Sequence, residues 1–71
     1  MKIALKVRFN ASKERFEKFA DGKYLLYLSF EEDEDTKLAV RELLSRYLGT
    51  PVQRIEFIAL DSNKNWIFDI H

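Results

Sequence analysis

Cysteine is absent from the 71-residue chain, and proline, histidine and glycine are scarce, with one, one and two copies. Without cysteine there is no disulfide framework, no thiolate metal site and no cysteine nucleophile, which is typical of an intracellular protein. No apolar run approaches the roughly 18 residues of a membrane-spanning helix. The opening segment MKIALKV also lacks the continuous apolar region of a signal peptide. We therefore expect a cytoplasmic protein.

Groups that perform catalysis are equally scarce. His71 is the only histidine and occupies the last position, where chains tend to fray. One imidazole supplies neither the orienting partners of a catalytic triad nor the several ligands of a zinc site. Two glycines are too few for a phosphate-cradling loop. We expect a non-enzymatic protein with no catalytic residue, no cofactor and no metal site.

The composition is typical of one small folded domain. It is 46% hydrophobic and 34% charged, which is apolar enough for a core and too regularly patterned for disorder. A chain of this length has room for one core, so residues 1–71 are expected to form a single domain. The formal net charge is zero, but positions 1–24 contain seven basic and three acidic residues. The N-terminal third is therefore basic.

Alternation of apolar and polar residues predicts four strands, in KIALKVRF, KYLLYLSF, RIEFIAL and NWIFDI. Asp21-Gly22, just before the second of these, favours a tight turn, so the first two predicted strands are expected to form a hairpin. The intervening segment NASKERFEKFA is predicted to be irregular. The aromatic residues at inward strand positions are expected in the core: Phe9, Tyr24, Phe30, Phe57, Trp66 and Phe68.

A helical period of 3.6 residues follows the second predicted strand. It produces one apolar stripe formed by Val40, Leu43, Leu44, Tyr47 and Leu48. The helix is predicted to begin near Asp35 and to end at Leu48, because Gly49 favours a left-handed stop and Pro51 prevents continuation. One amphipathic helix can cover only one sheet face. The predicted fold class is therefore α+β, with two layers, a four-stranded sheet, one main helix and the order β-β-α-β-β.

Five consecutive acids, at positions 31–35 of the segment FEEDEDTK, precede this helix. A calcium site needs about six to eight oxygens that converge at roughly 2.3 to 2.6 Å, and a consecutive run does not have the alternating ligand spacing typical of such a site. Acids near a helix N-terminus are favoured by about 0.3 to 1 kcal/mol each, and Asp33 or Asp35 can cap the helix. We interpret the run as a solvated helix start.

Four segments that span nearly the whole chain share features with a known family. They are VRFNASK, DGKYLLYLSF, RELLSRYLGTP and IEFIALDSNKNWIFDI. In these segments the chain resembles the YggU-like family of small proteins of uncharacterised function. The resemblance implies a two-layer fold with two strands, a loop, a helix and two further strands. The acidic FEEDEDTK replaces a loop of Pro-Pro-Asp-Gly-Lys-Ala-Asn type, so the resemblance implies a fold and no activity.

The predicted sheet face turned away from the helix points to a function. A solvated face usually has polar residues, whereas this one combines apolar side chains with two cations. The candidate partner-binding residues are Lys6, Arg8, Leu25, Tyr27, Ile58 and Ile67. The predicted function is an interaction module that binds another protein or forms a homodimer through this face, and no membrane partner is expected. The alternative is single-stranded nucleic acid, such as RNA, bound by the basic N-terminal strand and Tyr27.

Overall fold

A computed structural model describes every residue from Met1 to His71. In chain order its elements are β1 (Lys2–Arg8), β2 (Arg15–Ala20), β3 (Lys23–Tyr27), α1 (Thr36–Leu48), a 3-10 turn (Val52–Arg54), β4 (Ile55–Leu60) and β5 (Trp66–Ile70). The predicted α+β class with one main helix is confirmed. The sheet has five strands and not four, and the order is β-β-β-α-β-β. No helix has both the length and the apolar character required to cross a membrane.

All five strands belong to one mixed sheet with the order β2-β3-β1-β5-β4. The middle strand, β1, is parallel to β3 and antiparallel to β5. The edge strands β2 and β4 are each antiparallel to their single neighbour. The first strand of the chain therefore lies at the centre of the sheet, where both of its edges are paired.

The strand β2 lies in the segment that the sequence predicted to be irregular. Only Phe16 and Glu17 of this strand are half-buried and its other four residues are exposed, so an edge strand of this kind leaves no clear apolar pattern. The Asp21-Gly22 turn joins β2 to β3, with Gly22 at a φ of 69°. The predicted hairpin of the first two alternating segments is therefore wrong. Instead, β3 inserts between β1 and β2 and runs parallel to β1.

The hydrophobic core lies between α1 and one face of the sheet. The ten buried core residues are Ile3, Leu5, Tyr24, Leu26, Leu28, Val40, Leu44, Ile55, Trp66 and Phe68. The helix contributes Val40 and Leu44, and Leu43 and Leu48 pack at the margin of this cluster. One layer of helix therefore covers one layer of sheet, as the predicted apolar stripe requires.

The helix α1 begins and ends where the sequence predicted. Gly49 is its C-cap residue, with a φ of 68°, a left-handed conformation that glycine adopts without steric cost. Asp35 occupies the N-cap position, but its side chain makes no capping hydrogen bond. Asp33 Oδ1 instead accepts the Asp35 N–H at 2.9 Å and the Thr36 hydroxyl at 3.3 Å. The acids at positions 31–35 are all exposed, as expected of a solvated helix start.

Two aromatic residues lie outside the core positions predicted for them. Phe30 is 41% exposed, because β3 ends at Tyr27 and the chain bends before it reaches the helix. Tyr47, on the predicted apolar stripe of α1, is exposed and stacks on Phe16 with 4.6 Å between the ring centroids. The remaining inward aromatics are buried or pack against the core, namely Phe9, Tyr24, Phe57, Trp66 and Phe68.

Candidate functional site on the outer sheet face

We call the side of the sheet opposite α1 the outer face. Because Ile3 and Leu5 of β1 lie in the core, the alternating residues Ala4 and Lys6 point to the outer face. Lys2 and Arg8 continue this alternation along β1. Residues paired with these four positions share their face, so the outer face also contains Lys23, Leu25 and Tyr27 of β3 and Ile67 and Asp69 of β5.

Five of the six predicted partner-binding residues lie on this face, and the sixth, Ile58, is the extra residue of β4 at a register shift and has no partner on β5. Lys6 is paired with Leu25 and Arg8 with Tyr27 in the parallel register of β1 and β3. The other two, Ile67 and Ile58, lie on the opposite side of β1, on β5 and β4. The structure therefore brings Lys6, Arg8, Leu25 and Tyr27 together. Ile67 lies on the next strand, opposite Ala4, and Ile58 lies on the edge strand.

The apolar part of the outer face is less open than the sequence predicted. Leu25, Tyr27 and Ile67 are all half-buried. The Arg15 guanidinium lies over the Tyr27 ring, 5.9 Å from its centroid. Among the four predicted apolar residues only Ile58 is exposed, at 44%. The face is therefore a mixed surface, in which cations accompany the apolar residues of β3.

Irregularities in the two edge strands expose further apolar side chains. The register of β2 with β3 shifts between Lys18 and Ala20, and the register of β4 with β5 shifts between Phe57 and Ala59. Such a bulge adds one residue to the strand, and this residue has no partner on the neighbouring strand. In β2 the added residue is Phe19, which is 61% exposed. It interrupts the simple alternation from which the sequence-based prediction was made.

A depression of about 360 Å³, which we call the sheet-face pocket, opens between β1, β2, β3 and the β4–β5 loop. Its lining residues are Ala4, Lys6, Phe19, Lys23, Asn63 and Asn65. Only Lys6 was singled out from the sequence. Lys23 could have been assigned to the outer face from the sequence, since it alternates in phase with Leu25 on β3. The position of Phe19 could not, because the bulge interrupts the alternation of β2. The two asparagines reach the pocket only through the pairing of β5 with β1.

The β4–β5 loop is held in shape by one carboxylate. Asp61 Oδ1 accepts the N–H groups of Asn63 at 2.9 Å and of Asn65 at 2.8 Å, and Asp61 Oδ2 accepts the Asn65 side-chain amide at 3.1 Å. The pKa of Asp61 lies below its ordinary value of 3.8, mainly because the two hydrogen bonds from Asn65 stabilise the charged carboxylate. The hydrogen bond from Asn63 and the positive charge of nearby Lys6 lower it further. The loop therefore presents both asparagines to the pocket from a defined position.

Positive charge predominates in the sheet-face pocket. Lys6 and Lys23 line it, no carboxylate does, and none of the four ion pairs of the chain includes either lysine. Phe19 adds an exposed aromatic ring, and the asparagines add polar side chains. Two ammonium groups beside an aromatic ring suit a ligand that combines negative charge with a flat ring system.

A second depression, of about 420 Å³, lies on the helix side of the sheet near the start of α1. Its lining residues are Val7, Phe9, Glu32, Leu60, Lys64 and Trp66. It is mainly apolar, and its two charged groups, Glu32 and Lys64, have opposite signs. This surface lacks the paired cations of the outer face and therefore offers no comparable attraction for an anion.

A comparison of the chain with protein-family models, curated proteins and solved structures finds no match. The resemblance to the YggU-like family accordingly stays a prediction from the sequence, and the candidate site rests on the geometry of this chain alone.

Proposed function

We propose that the protein is a non-enzymatic binding module that holds single-stranded nucleic acid on its outer face. The observation that supports this most directly is the sheet-face pocket, where the unpaired ammonium groups of Lys6 and Lys23 accompany the exposed ring of Phe19. A nucleotide offers the matching pair of features, a phosphate charge and a base with a flat face. Proteins that bind single strands combine basic grooves with stacking aromatics in this way.

The pocket favours a single strand over a duplex. Stacking on Phe19 requires a base with a free face, whereas the bases of a duplex are stacked on one another. Arg8 follows Lys6 by two positions on β1 and lies beside Tyr27, so it extends the positive surface along the sheet. We expect a bound strand to place one base against Phe19 and to pass its phosphates along Lys6 and Arg8.

The second candidate is the association with another protein, or with a second copy of the chain, through the outer face. Ile58, on the edge strand β4, is 44% exposed. Exposed aliphatic residues of this kind are common in protein interfaces. We rank this candidate second, because the predicted apolar residues Leu25, Tyr27 and Ile67 are half-buried.

The proposal is tested by titrating short, fluorescently labelled oligonucleotides with the protein at low and high salt. Binding is expected to weaken steeply with salt, since each neutralised phosphate releases counterions. The double substitution of Lys6→Ala and Lys23→Ala is expected to weaken binding to all sequences and to reduce the salt dependence. Lys37→Ala is the matched control, because Lys37 is an exposed lysine on α1, the opposite layer.

Equal losses in the control and in the double variant would show that binding is not localised to the outer face. An absence of binding at low salt would overturn the proposal. In either case, the unliganded chain should be examined for self-association. If it associates, and if substitution of Ile67 and Tyr27 with serine abolishes that association, the second candidate is favoured.

A further inference from the structure

A separate group of side chains meets at the corner formed by β4, β5 and the last residue. Glu56 on β4 lies directly opposite Asp69 on β5, and His71 follows Asp69 by two positions. Their potential ligand atoms, two carboxylate oxygens and one imidazole nitrogen, all lie within 4.8 Å of one another. One pair, His71 Nε2 and Glu56 Oε1, is separated by 2.9 Å. Side chains on alternate strand positions and on directly paired residues share one face, which explains why the three converge.

The His71 backbone is held in place on both sides, although the sequence led us to expect fraying. Its N–H donates to the Arg54 carbonyl at 2.8 Å, and the Arg54 Nε donates to the His71 carbonyl at 2.6 Å. The imidazole is therefore attached to a fixed backbone next to the two acids.

We propose that Glu56, Asp69 and His71 bind a divalent transition-metal cation of the zinc class. Two carboxylates and one imidazole form a donor set that zinc accepts, and three protein ligands leave a fourth position for water. The imidazole nitrogen favours such a cation over Mg²⁺ and Ca²⁺, which prefer oxygen ligands.

The surroundings of the cluster are compatible with cation entry. The side chains of Glu56 and His71 are more than half exposed, at 59% and 56%, and that of Asp69 is 27% exposed. The Met1 ammonium lies 3.3 Å from Asp69 Oδ1. Binding therefore requires no opening of the fold, and the cation competes only with the Met1 ammonium and with the contact between His71 and Glu56.

The test is a calorimetric titration of the full chain with ZnCl₂ after treatment with a chelator, followed in parallel by NMR of the His71 ring. We expect one saturable site per chain, an early shift of the ring resonances, and no comparable shift with MgCl₂ at the same concentration. The separate substitutions His71→Ala and Glu56→Gln should each weaken zinc binding at least about tenfold, because each removes a direct ligand.

Glu34→Gln serves as the matched control, since Glu34 is an exposed acid of the run 31–35 and lies outside the cluster. It should leave zinc binding unchanged. Zinc binding that does not saturate, or that is unaffected by both ligand substitutions, would overturn the proposal. A titration whose shifts centre on positions 31–35 would also contradict it.

Discussion

Phe19 is exposed on the outer face because one extra residue interrupts the register of β2 with β3. A ring exposed to this extent contributes little to the core, yet it lies in the only charged depression of the outer face, beside Lys6 and Lys23. Asp61 is a second single residue that shapes the pocket, because its carboxylate orients the loop that places Asn63 there. Single side chains thus determine the chemical character of the candidate site.

The substitution Phe19→Ala is expected to weaken oligonucleotide binding by about 1 to 3 kcal/mol, the usual loss when one base loses its aromatic stacking partner. Stability should change little, because the side chain is 61% exposed. Fluorescence anisotropy titrations at constant salt measure the effect. Phe30→Ala is the matched control, since Phe30 is an exposed phenylalanine outside the pocket. Equal effects of the two substitutions would contradict the assignment of Phe19 as a stacking residue.

The lowered pKa of Asp61 predicts how the β4–β5 loop responds to acid. A carboxyl group whose pKa is lower in the folded state stabilises that state above its unfolded pKa, and this contribution disappears as the pH falls through the folded pKa. The loop should therefore keep its hydrogen bonds at neutral pH and lose them only below about pH 3.8, the ordinary value.

An NMR pH titration of the Asn63 and Asn65 amides checks this expectation. Both amides should shift together with a midpoint below 3.8, because both donate to the same carboxylate oxygen. The substitution Asp61→Asn should remove the common transition. A midpoint above that value would show that the hydrogen bonds do not favour the charged carboxylate.

At the scale of elements, α1 is held to the sheet by its apolar stripe and by one arginine. Arg41 donates from Nε to the Ile55 carbonyl at 2.7 Å and from a terminal nitrogen to the Val52 carbonyl at 2.9 Å. These bonds attach the middle of the helix to the 3-10 turn and to the start of β4. The helix therefore covers one face of the sheet and leaves the outer face without a covering layer.

Two leucines of α1 allow a matched test of this packing. Leu44 is fully buried in the core, whereas Leu38 is 56% exposed on the same helix. Leu44→Ala is expected to lower the free energy of unfolding by about 2 to 5 kcal/mol, because it removes buried methyl groups and leaves a cavity. Leu38→Ala should cost less than about 1 kcal/mol. Urea denaturation measures both, and similar losses would contradict the position of α1 on the sheet.

At the scale of the whole molecule, the sheet has two irregular edges and one open face. Bulges in β2 and β4 disturb the rows of free backbone groups to which a second sheet could pair. A symmetric contact through the outer face would bring the cations Lys6, Arg8 and Lys23 of one copy near those of the other. Both features oppose the association of identical chains.

We therefore expect the unliganded chain to sediment as a monomer across a concentration series at low salt. Raising the salt concentration would screen the repulsion between cations and would favour a dimer if the outer face has an intrinsic tendency to pair. A dimer at low salt that is lost on replacement of Ile67 and Tyr27 by serine would contradict the monomer prediction and support the second candidate function.

The sequence by itself determined the elements whose signals are local. The 3.6-residue period and Gly49 located α1, and alternation located β1, β3, β4 and β5, although the predicted strand at β3 extended three residues too far. Each of these patterns repeats within a few neighbouring residues. Alternation also assigned Lys6, Arg8, Leu25 and Tyr27 to the outward positions of their strands, while their adjacency comes from the parallel pairing of β1 with β3.

The tertiary structure alone decided which elements are neighbours and what their pairing brings together. The strand β2 has too few buried residues to leave a pattern, and the parallel pairing of β1 with β3 depends on contacts between distant parts of the chain. The sheet-face pocket and the corner of Glu56, Asp69 and His71 arise from strand register and from one bulge. Register is set by the packing of the whole sheet, and therefore no local segment contains that information.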